Sequence, residues 1–209
     1  SYFTWVVTTE IFSEFAHDGR NTVIDTISNN SGELLGGATY DDTGIVFGGV
    51  DGNIEFDSSI TLSGDFTITF DTVYTTTVRI YLGNLDALDT FIACLSSERI
   101  RVAYDGNFYD FTGFLINDLD NISVEVERVG TDLNVTVNGE TKSIASVSTA
   151  DITYFTFGGG TTYPIIGKST YLTFSSGNNY DLTKVAPSFL NGGGDLRCYT
   201  DNTKTTQLP

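Results

Sequence analysis

The chain offers few side chains of the kind that move protons or hold metals. Its only histidine is His17, so a zinc site of clustered imidazoles and a Ser-His-Asp triad both lack their parts. Beside Asp18 and Gly19, His17 reads as a turn residue. Carboxylates are the alternative, because retaining glycosidases work with two carboxyl groups about 5–5.5 Å apart, one a nucleophile and one an acid. Glu125 and Glu127 in "VEVER" share one strand face, and Glu55 and Asp57 in "IEFDSS" repeat that spacing. Alternation with Val124 and Val126 turns the first pair toward water. The second pair has no third carboxylate beside it in sequence.

Binding chemistry has better material. Calcium takes six to eight oxygens from carboxylates, amides and carbonyls. "NDLDN" collects such atoms at Asn117, Asp118, Asp120 and Asn121, and "NLDALD" (Asn84, Asp86, Asp89) and "YDDTG" (Asp41, Asp42) are thinner sets. None follows EF-hand spacing; of the three, the Asn117–Asn121 loop is the best calcium candidate in a chain otherwise expected to carry no cofactor. A saccharide needs an aromatic face to lie on and polar groups for its hydroxyls. "YDGNFYDF" supplies Tyr104, Asp105, Asn107, Phe108, Tyr109 and Asp110, "GGGTTYP" adds Tyr163, and "GNNY" adds Asn178, Asn179 and Tyr180. Tyr104, Asp105, Asn107, Tyr109, Tyr163 and Asn179 are the expected glycan contacts, gathered where loops meet at a rim.

Several other motifs lead nowhere chemical. Gly158–Gly160 and Gly192–Gly194 open no helix and have no Lys-Ser/Thr partner, so neither is a phosphate loop. Cys94 and Cys198 are too few for a disulfide framework. Cys94, in "TFIACLS", reads as a small buried hydrophobe, with a bridge to Cys198 as the alternative. Sequons at Asn29, Asn121 and Asn134 matter only on a eukaryotic secretory route. The first residues, Ser1-Tyr2-Phe3-Thr4-Trp5, lack the basic flank and apolar stretch of a secretory signal.

Charge narrows the partners. Ten Lys and Arg stand against 27 Asp and Glu, a net −17, which repels phosphate backbones and anionic lipid surfaces. Nucleic acid and membrane are therefore not expected, and no run of about 18 apolar residues crosses a bilayer. Such acidity keeps a protein dissolved in salty water, where the charges are screened.

The elements that must position these residues follow a period of two. In "DFTITF", Phe66, Ile68 and Phe70 share a face. "TVRIYLG" repeats the pattern with Val78, Ile80 and Leu82, and "RIRVAY" with Ile100, Val102 and Tyr104 inward and Arg101 outward. "NISVEVERVG" buries Ile122, Val124 and Val126, and "LNVTVNGE" buries Leu133, Val135 and Val137. The 31 threonines suit the wet faces of such strands. Asp-Gly and Asn-Gly turns separate them at a rhythm of roughly ten residues, that of an antiparallel sandwich. "EIFSEFAHDG" and "NNYDLTKVAPSF" offer one helical turn each, the second stopped by Pro187. In the turn-rich stretch from Asp25 to Phe56, Ile45-Val46-Phe47 and Ile54-Glu55-Phe56 are expected to pair across "GGVDGN". The fold class is all-β, two antiparallel sheets face to face.

The order of these segments resembles a known family. "VIDTISNNSGELLGGATYDDTGIVFGGVDGNIEF", "ITLSGDFTITF", the hairpin "ISVEVERVGTDLNVTVNGE" and the closing strand "PIIGKSTYLTF" resemble, in sequence order, the concanavalin A-like lectin/glucanase superfamily in its laminin-G-like branch. The resemblance covers roughly residues 22–174 and implies a jelly-roll sandwich whose closing strand returns beside the first. Two features depart from it. The back-sheet Trp is replaced at Phe70 or Asp71, the only Trp being Trp5, and the E-x-D-x-x-E strand of the glucanases is absent. Low Lys, abundant Thr, Gly and Asn and a polar tail resemble the laminin-G-like domains of bacteriophage virion and tail proteins. The expected division is a sandwich over residues 1–185 and a polar segment at 186–209, which buries too little on its own to offset its ordering entropy and is expected to make an assembly contact. The likeness to the phage domains implies a non-enzymatic structural or adhesive role in a virus particle, as a decoration, fibre or tail component. The implied partners are other virion proteins, copies of the chain itself and cell-surface glycans. A stand-alone carbohydrate-binding module or lectin, extracellular rather than virion-borne, is the alternative, and a glucanase-like hydrolase the third.

Overall fold

Alternating apolar residues commit this chain to strands, and in the computed structural model every strand pairing among the described residues is antiparallel. The structure describes residues 22–25, 30–41, 43–83, 89–95, 98–159 and 162–186. His17, Trp5, Asn29, Asp42, Asn84, Asp86, Gly160, Cys198, Gly192–Gly194 and the segment beyond Ala186 lie outside them. In chain order the strands begin with β1 (Thr22–Asp25), β2 (Gly32–Leu35), β3 (Ala38–Tyr40), β4 (Ile45–Gly48), β5 (Asn53–Leu62) and β6 (Phe66–Val73). Next come β7 (Arg79–Gly83), β8 (Phe91–Leu95), β9 (Arg99–Tyr104), β10 (Asn107–Thr112), β11 (Asn121–Val129) and β12 (Asp132–Val137). The last are β13 (Glu140–Ile144), β14 (Ile152–Phe157), β15 (Ile166–Ser169), β16 (Tyr171–Phe174) and β17 (Asn179–Ala186).

Fourteen of these form one hydrogen-bonded ladder in the order β10-β9-β8-β7-β14-β5-β2-β1-β17-β16-β6-β11-β12-β13, and β15-β4-β3 form a small second sheet. Twisted sheets rarely exceed about ten strands without curling, and this one folds over so that its halves face each other. Phe70 on β6 packs its ring 5.7 Å from Phe157 on β14 and 5.6 Å from Tyr81 on β7, strands far apart in the ladder. Phe47 of the small sheet meets Phe157 at 5.7 Å. The result is the expected antiparallel jelly-roll sandwich, with a single ladder running through both layers. Phe70, fully buried, fills the centre of the core at one of the two positions expected to replace the family's Trp. Asp71 beside it accepts hydrogen bonds from the N–H of Thr170 at 2.6 Å and of Tyr171 at 3.1 Å.

Four local expectations are corrected. Ile45-Val46-Phe47 and Ile54-Glu55-Phe56 do not pair: β4 joins β3 and β15, whereas β5 joins β2 and β14. The reason lies in the turn. Asp51 reaches back to accept the Gly37 N–H at 2.7 Å, and at Gly36, with φ +59°, a Cβ would lie 2.5 Å from the Asp51 carbonyl. That contact ties "GGVDGN" to the β2–β3 turn instead of closing a hairpin. The segment 179–186 is strand rather than a helical turn, with Tyr180 and Leu182 fully buried. It is this strand, β17, that returns beside β1, while β16 lies between β17 and β6. In β7 the pairing with β8 shifts between Ile80 and Leu82. The irregularity puts Tyr81 and Leu82 together in the main core and leaves Ile80 in a small separate cluster with Ala93 and Leu95.

Candidate functional site

The β9–β10 hairpin carries most of the residues expected to touch a glycan. Its two-residue turn, Asp105 (φ +50°) and Gly106 (φ +69°), is the left-handed pair that an Asp-Gly sequence favours. The turn preserves alternation, so Tyr104 and Tyr109 both point inward. Tyr104 is fully buried and its hydroxyl donates to the Ser148 carbonyl at 2.8 Å. Burial pushes its phenol above the usual value, which keeps the donor proton in place. The Tyr109 hydroxyl accepts the Ser148 N–H at 2.9 Å, and the Asp105 carboxylate accepts the Ser148 hydroxyl at 2.5 Å. These three residues therefore fasten the hairpin to the segment after β13. Tyr104 presents no ring to a ligand, which corrects its expected role. Asn107 is exposed at the turn and donates to the Asp105 carbonyl at 2.8 Å. Asn179 lies on β17 opposite Thr173, far along the ladder from β10.

The calcium candidate is a set of backbone clasps. Asp118 accepts the Thr76 N–H at 2.8 Å, and Asp120 accepts the Asn117 N–H at 2.9 Å and its side-chain amide at 3.0 Å. Asn121 opens β11 opposite Val73. The two carboxylates thus serve different partners. Among the described residues no group of three or more His, Cys, Asp and Glu is arranged to hold a metal ion.

The carboxylates considered for hydrolysis face outward. Glu125 is exposed, and Glu127 accepts the Asn134 amide at 3.2 Å. At the other pair the sheet supplies what sequence proximity did not show. Glu33 lies directly opposite Glu55 across β2 and β5, and with Asp57 and Phe56 they line a hollow of about 210 Å³.

The feature with binding geometry lies on the outer face of β7–β10. Ile80, Ala93 and Leu95 form its floor. Phe91, Phe108, Tyr163, Val78 and Arg101 complete a trough of about 240 Å³. Tyr163 is the one expected glycan contact found there. It is laid along β7 by its carbonyl, which accepts the Ile80 N–H at 3.1 Å. Only glycine allows this approach at Gly159, where a Cβ would stand 1.8 Å from the Tyr163 carbonyl oxygen. The Phe108 ring is 59% exposed and sits 6.2 Å from the Phe91 ring, with the Arg101 guanidinium carbon 4.9 Å from its centroid.

Arg101 is held by Asp110 on the adjacent strand. Its Nε donates to Oδ1 at 2.6 Å and its Nη2 to Oδ2 at 2.8 Å, while Nη1 of Arg99 reaches Oδ2 at 3.2 Å. The hydrogen bonds from Arg101 hold the Asp110 carboxyl below the usual carboxylate range, and the same bonds raise the Arg101 guanidinium. Sequence reasoning placed Phe108 and Asp110 in the right loop but did not choose them. The signal was present: with Tyr104 inward and a two-residue turn, the outward aromatic on β10 has to be Phe108.

No protein-family model matches this sequence, and no curated protein matches it. Solved structures do. A family 7 alginate lyase shares 15% identity at a TM-score of 0.46, covering 78% of this chain and 96% of its own. Tailspike protein 2 of the Escherichia coli O157:H7 bacteriophage CAB120 shares 10% identity at 0.42, covering 74% of this chain and 26% of the tailspike. The carbohydrate-binding module CBM66 from Bacillus subtilis shares 10% identity at 0.41, covering 71% and 94%. Function has to be argued from the site, since one fold hosts many activities.

Proposed function

We propose that this protein is a non-enzymatic binding module that lays a saccharide against the outer face of β7–β10, and that it works as a structural or adhesive component of a virus particle. The observation that carries the saccharide reading is the Phe108 ring, 59% exposed at the rim of an aromatic trough with a guanidinium beside it. Sugar rings present a C–H face that packs on an aromatic plane, while their hydroxyls take hydrogen bonds from fixed polar groups. The trough, about 240 Å³, is smaller than the roughly 300–1,000 Å³ of sites that enclose a drug-sized ligand. It suits one ring of a longer chain that continues into solvent. A binding rather than hydrolytic role is supported by the outward carboxylates of β11, Glu125 exposed and Glu127 taken up by the Asn134 amide.

The particle role rests on the resemblance to laminin-G-like domains of bacteriophage virion proteins, carried by the low Lys content and the abundance of Thr, Gly and Asn. Its partners are then other virion proteins and further copies of this chain. The test is a glycan array probed with the wild type and with Phe108→Ala. The reading expects wild-type signal on a defined set of glycans and its loss in the variant, at an unchanged melting temperature. Absence of wild-type signal, or signal indifferent to Phe108, refutes it.

A further inference from the structure

We infer that the trough selects an acidic saccharide, with Arg101 receiving the sugar's carboxylate; this rests on reading the trough as a saccharide site. The charge pattern is what points there. In a chain of ten cationic and 27 anionic side chains, the one charged residue among the described trough lining is an arginine, Arg101. Two guanidiniums converge on the single carboxylate of Asp110, which leaves one positive charge uncompensated within the network. A donor remains as well: Nη1 of Arg101 takes part in neither bond to Asp110.

A neutral sugar has no need of this cation. A carboxylate matches it in both charge and geometry, because guanidinium presents paired N–H donors to two oxygens. Packing against Phe108 fixes Arg101 in place, so little side-chain freedom is lost when the anion arrives. The chain's overall negative charge opposes such a ligand only weakly. At physiological ionic strength charges more than about 8 Å away are largely screened.

The experiment titrates the full chain with a uronic acid homopolymer, and with the same polymer after its carboxyls have been reduced to hydroxymethyl groups. The acidic polymer should bind at least about tenfold more tightly, as a charge-assisted contact implies. That preference should shrink as salt is raised. Arg101→Gln should remove the preference while retaining the weaker binding of the neutral polymer. Asp110→Asn, which frees both arginines from their counter-ion, should strengthen binding of the acidic polymer, an effect no purely structural role of Asp110 produces. Phe108→Ala should weaken both polymers alike. Equal wild-type affinity for the two polymers, or weaker acidic binding in Asp110→Asn, overturns acidic selection and leaves the saccharide reading standing. Wild-type binding of neither polymer overturns both.

Discussion

Arg128 is a cation buried with carbonyls, not carboxylates, around it. It is 1% exposed, its Nε and Nη2 donate to the Gly64 carbonyl at 2.9 and 2.5 Å, and its Nη1 donates to the Ala150 carbonyl at 2.6 Å. Its guanidinium carbon also lies 4.8 Å from the centre of the Phe66 ring. Replacing it by Met would strand those carbonyls, at a cost of about 3 kcal/mol or more. For a chain of this size that is a fall in melting temperature of roughly 6–12 °C. Arg128→Lys should recover little, since one ammonium cannot span both carbonyls. A melt within a degree or two of wild type for either variant would contradict this role. Asp118 makes a smaller, local contribution through the Thr76 N–H. Asp118→Ala should cost about 1 kcal/mol, and by the same amount with or without EDTA. A cost that vanishes in EDTA would mean that a cation, not the Thr76 clasp, is what Asp118 serves. Arg128 also shows how a sequence misleads. The period that buries Ile122, Val124 and Val126 continues to Arg128, but its charge argues for the surface until Gly64 and Ala150 are seen beside it.

At the scale of elements, strands and tight turns were readable because their causes are local. The Asp-Gly turn at Asp105 and Asn-Gly turn at Asn138, with left-handed φ at all four residues, follow from residue type alone. The irregularity between Ile80 and Leu82 was not readable. Nothing in "RIYLG" marks where β7 slips against β8, and that slip decides that Ile80 floors the trough instead of the core. The seam was hidden for the same reason, since Ser148 is 44 residues from Tyr104. The hairpin's charge network adds a pH signature. Asp110 titrates below its ordinary 3.8 in the folded chain, so as pH falls the unfolded chain takes up this proton first. The stabilisation is complete above about pH 3.8 and fades as pH drops through the lower folded value. With Asp110 31% exposed and Arg101 25% exposed, it amounts to about 1 kcal/mol or less. Urea midpoints of wild type and Asp110→Asn should therefore differ at pH 6, and the gap should narrow steadily as the pH falls below 3.8. A gap that persists or widens in acid would contradict the pairing.

For the whole molecule, the ladder of fourteen strands explains which face is left open for the proposed site. Curling brings the ladder's two ends together, and the Ser148 contacts of Tyr104, Asp105 and Tyr109 fasten them. The inner faces are filled by the aromatic core. The outer face of β7–β10 keeps an apolar floor, an exposed ring and the Arg101 guanidinium, which Asp110 holds in place. The sandwich class was legible from alternation, whereas the proposed site was legible only at Tyr163 and in the outward position of Phe108, because it is assembled from four strands and the Tyr163 segment. The most direct test of the account is to record amide chemical shifts of the labelled protein while titrating a glycan that it binds. Perturbations should centre on Phe91, Arg101, Phe108 and Tyr163 and leave the Asn117–Asn121 loop and Ser148 unmoved. Shifts centred on the Asp105–Asn107 turn, on that acidic loop or on the Glu33–Glu55 hollow would contradict it.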